Sequence, residues 1–129
     1  MVKAVTDSRR LEERRKKMKK ICAIVKPYIV EDIKNALTEI GVNGLTKSNV
    51  EGFGNQGGHK EIYRSKEYSV NFIMKAKIEV VVKDDMVDKV IDVIIKNART
   101  GDIGDGKIFV YPVERVIRIR TGEEGETAV

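Results

Sequence analysis

From Lys20 to Val25 the chain is a short, nearly continuous apolar run, which predicts a buried central strand closed by Lys26-Pro27. The period then changes. Ile29, Ile33, Ala36, Leu37 and Ile40 recur at helical spacing, with Gly41 where a C-terminal cap belongs. Residues 44 to 51 predict a second strand with a weaker pattern. From Gly52 to about Ile73 no period is sustained, and a segment of that length is either functional or disordered. Beyond it Ala76, Ile78, Val80 and Val82 alternate with Lys75, Lys77, Glu79 and Lys83, a half-buried strand. Asp84 or Asp85 is placed to cap the next helix, whose core face is Val87, Val90, Ile91, Ile94 and Ala98. Ile108 to Val110 predict a strand that Pro112 breaks. Val113 to Arg120 predict a last extended segment, with Ile117 and Ile119 on one side and Arg118 and Arg120 on the other.

The order is β-α-β, long loop, β-α-β, tail strand, which predicts an α+β, ferredoxin-like double split β-α-β sandwich. Both helices would cover one face of the sheet. The other face also carries apolar residues, and this predicts a homo-oligomer that packs its sheets inward.

Between the second helix and the strand that follows lies Arg99-Thr100-Gly101-Asp102-Ile103-Gly104-Asp105-Gly106-Lys107. Three glycines permit positive φ and close backbone approach, so several N–H groups can point at one anion, and Lys107 adds a mobile positive charge. Gly101-x-x-x-x-Gly106-Lys107 satisfies most of the Walker A spacing. Ile108, however, stands where that motif places a Ser or Thr hydroxyl for magnesium. The element order is reversed as well, because a P-loop aims a helix N-terminus at the phosphates and here the helix comes first. The stretch therefore reads as a nucleotide cradle without P-loop hydrolysis, and alternatively as a glycine-rich connection with a solvated lysine. Arg118 and Arg120 on one strand face would make an anion clamp, or simply a solvated face.

Charge narrows the partner classes. The net charge of +5 is concentrated in residues 1–17, where seven basic side chains face three acidic ones, so the rest is close to neutral. A charged N-terminal extension, flexible or helical, attached to a balanced domain is weak support for nucleic acid, and no nucleic-acid partner is expected. No apolar run approaches the ~18 residues of a membrane span, and the expected location is cytoplasmic. One cysteine, Cys22, excludes an internal disulfide and reads as a core thiol. His59 has no second His or Cys near it in sequence, so it is not a metal site by itself.

Residues 18–129 resemble the PII nitrogen-regulatory signal proteins. Thr100-Gly101-Asp102-Ile103-Gly104-Asp105-Gly106-Lys107-Ile108-Phe109-Val110 is similar to the family's nucleotide-loop signature. Arg115-Val116-Ile117-Arg118-Ile119-Arg120-Thr121-Gly122-Glu123 is similar to its C-terminal signature. Val50-Glu51-Gly52-Phe53-Gly54, Gln56, Gly58-His59 and Glu67-Tyr68-Ser69-Val70-Asn71-Phe72 match its T-loop, about 53–73, and the stem of that loop. The end of the loop is most similar to the GlnK-like branch.

The resemblance implies a homotrimer with ATP or ADP in clefts between subunits. Lys107, Arg118 and Arg120 would hold phosphates, with the Gly104-Asp105-Gly106 backbone and Gly101 lining them, and Thr46, Gly52, Glu79 and Thr100 would help seat the nucleoside. Gln56 would ligate Mg2+ together with ATP and 2-oxoglutarate. Lys75 would pair with a carboxylate of 2-oxoglutarate, and the backbone of Gly54, Gln56, Gly57 and Gly58 would wrap it. Tyr63, Arg64 and Tyr68 would meet the target, Tyr68 being also at the family's modified position. Asn55 and Met74 depart from the residues common in the family, an arginine and a proline. The function implied is a non-catalytic sensor that regulates an ammonium channel, joined to the membrane only through that partner. The alternatives are a regulator of a soluble nitrogen-assimilation enzyme, glutamine synthetase or nitrogenase, and a slow ATPase.

Overall fold

The computed structural model describes residues 17–54 and 72–129. Strands β1 (Met18–Val25), β2 (Thr46–Gly52), β3 (Ile73–Lys83) and β4 (Lys107–Pro112) form one antiparallel sheet in the order β2-β3-β1-β4. Helix α1 (Val30–Glu39) joins β1 to β2, and helix α2 (Val87–Ala98) joins β3 to β4. Each crossover therefore skips one strand position, the double split β-α-β arrangement expected from the sequence.

Alternation fixes which face the helices cover. Ile21, Ala23 and Val25 of β1 and Ala76, Ile78, Val80 and Val82 of β3 are buried in one cluster with Ile33 and Leu37 of α1 and Val90, Ile94 and Ala98 of α2. A one-residue slip would turn all of these to the opposite face, so burial sets the register. Helix α1 ends as its sequence predicts. Gly41 takes φ 98°, and the Val42 N–H donates to the Leu37 carbonyl at 3.0 Å.

Two expectations need correction. Neither Asp84 nor Asp85 caps α2 by its side chain; the chain enters through a 3-10 turn over Asp84–Met86, and Lys19 Nζ donates to the Asp84 carboxylate at 2.5 Å. Cys22 is a buried free thiol, as expected, on the sheet face away from the helices and in register between Glu79 and Phe109. The extended segment over Val113–Arg120 reduces to one antiparallel bridge, Ile117 with Glu124. A turn then closes with the Gly122 N–H on the Arg118 carbonyl, and Ile119 is 99% exposed. Among the described residues no further strand pairs with the segment: the Val113 N–H reaches the Met18 carbonyl of β1, and beyond it the backbone bonds to the folded-back tail, the Arg118 N–H to the Glu123 carbonyl and the Gly125 N–H to the Val116 carbonyl.

The face without helices carries Phe109 and Tyr111 about half exposed beside Lys20, Lys77 and Glu79.

Candidate functional site

Strand ends deliver the first group of site residues. Lys107 opens β4 in register with Ile24 near the end of β1, and Lys75 lies at the start of β3 in register with Val50. The glycine loop between α2 and β4 is bounded by these ends. Gly101, Gly104 and Gly106 all have positive φ, at 92°, 100° and 111°. At Gly106 this freedom is joined by contact, because a Cβ there would lie 1.8 Å from the Ile24 carbonyl oxygen.

The loop does gather N–H groups on an anion, and that anion is its own. The Asp105 carboxylate accepts from the Thr100 amide at 2.7 Å, the Thr100 hydroxyl at 2.5 Å and the Gly101 amide at 2.9 Å. The Asp102 amide donates to the Thr100 hydroxyl at 3.2 Å. Lys26, just past β1, reaches Asp105 Oδ1 at 3.2 Å and Thr100 Oγ1 at 3.4 Å. Thr100, Gly101 and the Asp105 side chain thus belong to the frame of the loop. Gly104 is tied from the other side, where Lys75 Nζ donates to its carbonyl at 2.7 Å. Gly52 closes the group, since a Cβ there would meet Lys75 Cγ at 3.7 Å, and Gly54 follows two residues beyond β2.

These bonds favour the ionised form of Asp105. Thr100, through its hydroxyl and then its amide, holds the carboxyl well below its ordinary value of 3.8, and the bond to Asp105 raises Lys26 above its own ordinary value. A lowered carboxyl contributes stability that is complete above the unfolded value and is lost only as pH falls through the folded one. The Thr100 amide resonance is therefore expected to stay in place as pH drops through the ordinary carboxylate range and to move in stronger acid. A midpoint near about pH 4 would mean that Asp105 does not accept these bonds.

A second group assembles elsewhere. Thr46 of β2 and Glu79 of β3 stand in register and line a cleft of about 930 Å³ together with Val81, Val116 and the C-terminal residues Glu126 and Val129. Lys20 lies 3.1 Å from the Glu79 carboxylate and 5.0 Å from the centre of the Tyr111 ring, and the bond to Glu79 raises its pKa. Arg118 bonds Glu123 at 3.0 Å and the Thr127 carbonyl at 3.3 Å, while Arg120 lies on the exposed turn that follows. The arginines thus belong to a folded-back tail and not to a strand face.

One chain does not bring the two groups together. Lys107 lies on one edge strand and Thr46 on the other, with two strands between, about 14 Å at ordinary strand spacing. Lys107 lines a different groove of about 390 Å³ with Ile91, Ile95 and Ile108, and this groove shares no residue with the Thr46 cleft. Gln56, Gly57, Gly58, Tyr63, Arg64 and Tyr68 lie outside the described residues. Nothing in the sequence assigns Lys20, Lys26 or Glu123 a place in the site. Lys26 has one legible signal, a lysine fixed between the end of an apolar strand and Pro27.

The profile of the family "Nitrogen regulatory protein P-II" matches residues 18–123. Nitrogen regulatory protein P-II 1 of Escherichia coli K12 is 58% identical over 112 residues, covering 87% of this chain and all of that protein. The Haemophilus influenzae nitrogen regulatory protein P-II is 57% identical over the same length and with the same coverage. In three dimensions the chain is similar to Arabidopsis thaliana PII bound to citrate, with a TM-score of 0.71, 46% identity, and coverage of 88% of this chain and 92% of that one. With the fold, the glycine loop and the relatives in agreement, the chain belongs to the PII nitrogen-regulatory family, a family of signal-transducing regulators and not of enzymes.

Proposed function

We propose that the protein is a sensor that binds ATP or ADP and 2-oxoglutarate and passes their state to a target through its T-loop. The observation that carries this reading is Lys75. Its ammonium group bonds the Gly104 carbonyl of the glycine loop, and its backbone lies in β3 just beyond residues 55–71, so one side chain joins the two parts that must communicate. The surroundings suit a polyanion: Lys26, Lys75 and Lys107 stand about a glycine loop with three positive-φ turns. Among the described residues no group of three His, Cys, Asp or Glu side chains could hold a metal. Mg2+ would accordingly be held by oxygens of the ligands together with Gln56. When bound, the metal would join the nucleotide phosphates to the metabolite.

A dicarboxylate competes with the Gly104 carbonyl for Lys75, and a charge-assisted bond to a carboxylate is the stronger of the two. Coupling of order 1–3 kcal/mol between the metabolite and loop shape is enough to change target binding severalfold to about a hundredfold. The separation of the Lys107 and Thr46 groups supports sites completed by a second copy, as in a homotrimer. The target is an ammonium channel met by Tyr63, Arg64 and Tyr68, which keeps a cytoplasmic protein at the membrane only while its partner holds it. Among the described residues no helix is long and apolar enough to cross a membrane.

Calorimetric titration of 2-oxoglutarate tests the reading. Binding is expected with Mg2+ and ATP, and is expected to be lost or much weaker with ADP or with no nucleotide. Equal binding in all three conditions would remove the coupling, and none with ATP bound would leave an adenylate sensor alone.

A further inference from the structure

We propose that the side chains of Lys26 and Asp105 position the loop for nucleotide binding, holding it in its receptive shape while neither side chain touches the nucleotide. The inference rests on the nucleotide reading above and adds to it two side chains with a defined job. Asp105 sits in the nest formed by the Thr100 and Gly101 amides, where a loose loop would take up water or a free anion. Filling that nest from within fixes the chain on one side of Gly104 and Gly106, and sends any incoming phosphate to the other half of the loop.

A carboxylate surrounded by amides still carries a negative charge, and beside a triphosphate that charge is repulsive. Lys26 offsets it. Its Nζ lies 3.2 Å from Asp105 and 3.4 Å from the Thr100 hydroxyl, and the two charged side chains are only 21% and 22% exposed. Because Lys26 directly follows β1, and the Ile24 carbonyl of β1 backs onto Gly106, the ion pair fastens the loop to the end of an inner strand of the sheet. Lys75 fastens it to β3 at Gly104. A loop held from two strands loses little freedom when a ligand arrives, which is how preorganisation raises affinity.

The test measures ATP affinity and amide hydrogen exchange in the full-length protein and in Lys26→Met, Lys26→Arg, Asp105→Asn and the Lys26→Met/Asp105→Asn double variant. Lys26→Met is expected to weaken ATP about tenfold and to speed exchange at Thr100 and Gly101 without ligand, while Lys26→Arg restores most of both. Asp105→Asn is expected to cost a similar factor, and the double variant no more than the worse single, because the residues act as one unit. Multiplying losses would mean that Lys26 meets the phosphates directly, and would overturn the proposal. Unchanged affinity and exchange in Lys26→Met would overturn it as well. If the unaltered protein binds neither ATP nor ADP, the nucleotide reading itself fails and the role assigned to Lys26 fails with it.

Discussion

Replacing Gly106 with alanine is expected to cost about 3 kcal/mol or more of stability, and to remove nucleotide binding even where the variant still folds. Two penalties coincide at this position. The φ of 111° lies in the left-handed region that L side chains avoid, at about 1–2 kcal/mol for an ordinary residue. The added Cβ would also stand 1.8 Å from the Ile24 carbonyl oxygen and 2.9 Å from its carbon, both backbone atoms of the central strand that cannot swing aside. Either β4 separates from the end of β1 or the loop tilts outward, and both carry Lys107 away from its present place. Gly101 provides the control. Its φ is 92°, yet nothing lies within 4 Å of a Cβ built there, so Gly101→Ala is expected to show the conformational penalty alone, about 1–2 kcal/mol. Urea unfolding midpoints for the two variants make the comparison. Equal losses would mean that the close approach to β1 does not constrain the loop.

The same loop shows how far the sequence can be read. The glycines, their spacing and Lys107 are legible as an anion cradle or as a glycine-rich connection with a solvated lysine, and the loop's amides do converge on an anion, the Asp105 carboxylate. Sequence has no means of telling that the Asp105 carboxylate turns inward to satisfy two loop amides, since an aspartate beside two glycines is equally a solvated turn residue. Strand β3 is legible because its alternation is the physical pattern of a half-buried strand, and α2 because its apolar stripe faces the sheet. Strand β2 is harder for a concrete reason. It is an edge strand whose positions on the helix side of the sheet, Lys47, Asn49 and Glu51, stay exposed, so it carries no apolar alternation. The tail presents the opposite case. Ile117, Arg118, Ile119 and Arg120 alternate as a strand would, but no edge is paired with them beyond the single Ile117 bridge. Instead Arg115 pairs with Glu124 through two nitrogens, at 2.7 and 3.1 Å, and Arg118 with Glu123. Each arginine of the proposed clamp that has an acidic neighbour within the tail must therefore exchange that partner for a phosphate, a competition that alternation alone does not reveal.

The division of site residues between two edges of the sheet leads to the second large effect. Two variants, Lys107→Glu on the β4 edge and Thr46→Trp in the cleft beside β2, are each expected to lower nucleotide affinity roughly a hundredfold, which is about 2.7 kcal/mol. The first reverses the charge at the glycine loop, and the second fills the space beside Glu79. If a site takes its phosphate half from one copy and its nucleoside half from the next, the two defects can compensate. In a ring of three that contains both variants, one junction always joins an intact Thr46 cleft to an intact Lys107 loop, whichever variant is present twice. Mixed trimers purified through two different affinity tags should then bind about one nucleotide per three chains with near-normal affinity. Each variant alone should bind none at the same concentration. If every chain builds its own site, no chain in the mixture is whole, and the mixed trimers stay as empty as the single variants. Recovery would fit the sheet order: among the described residues β2 and β4 are the two edge strands of one chain, and a closed ring of three could bring the β2 side of each copy to the β4 side of its neighbour.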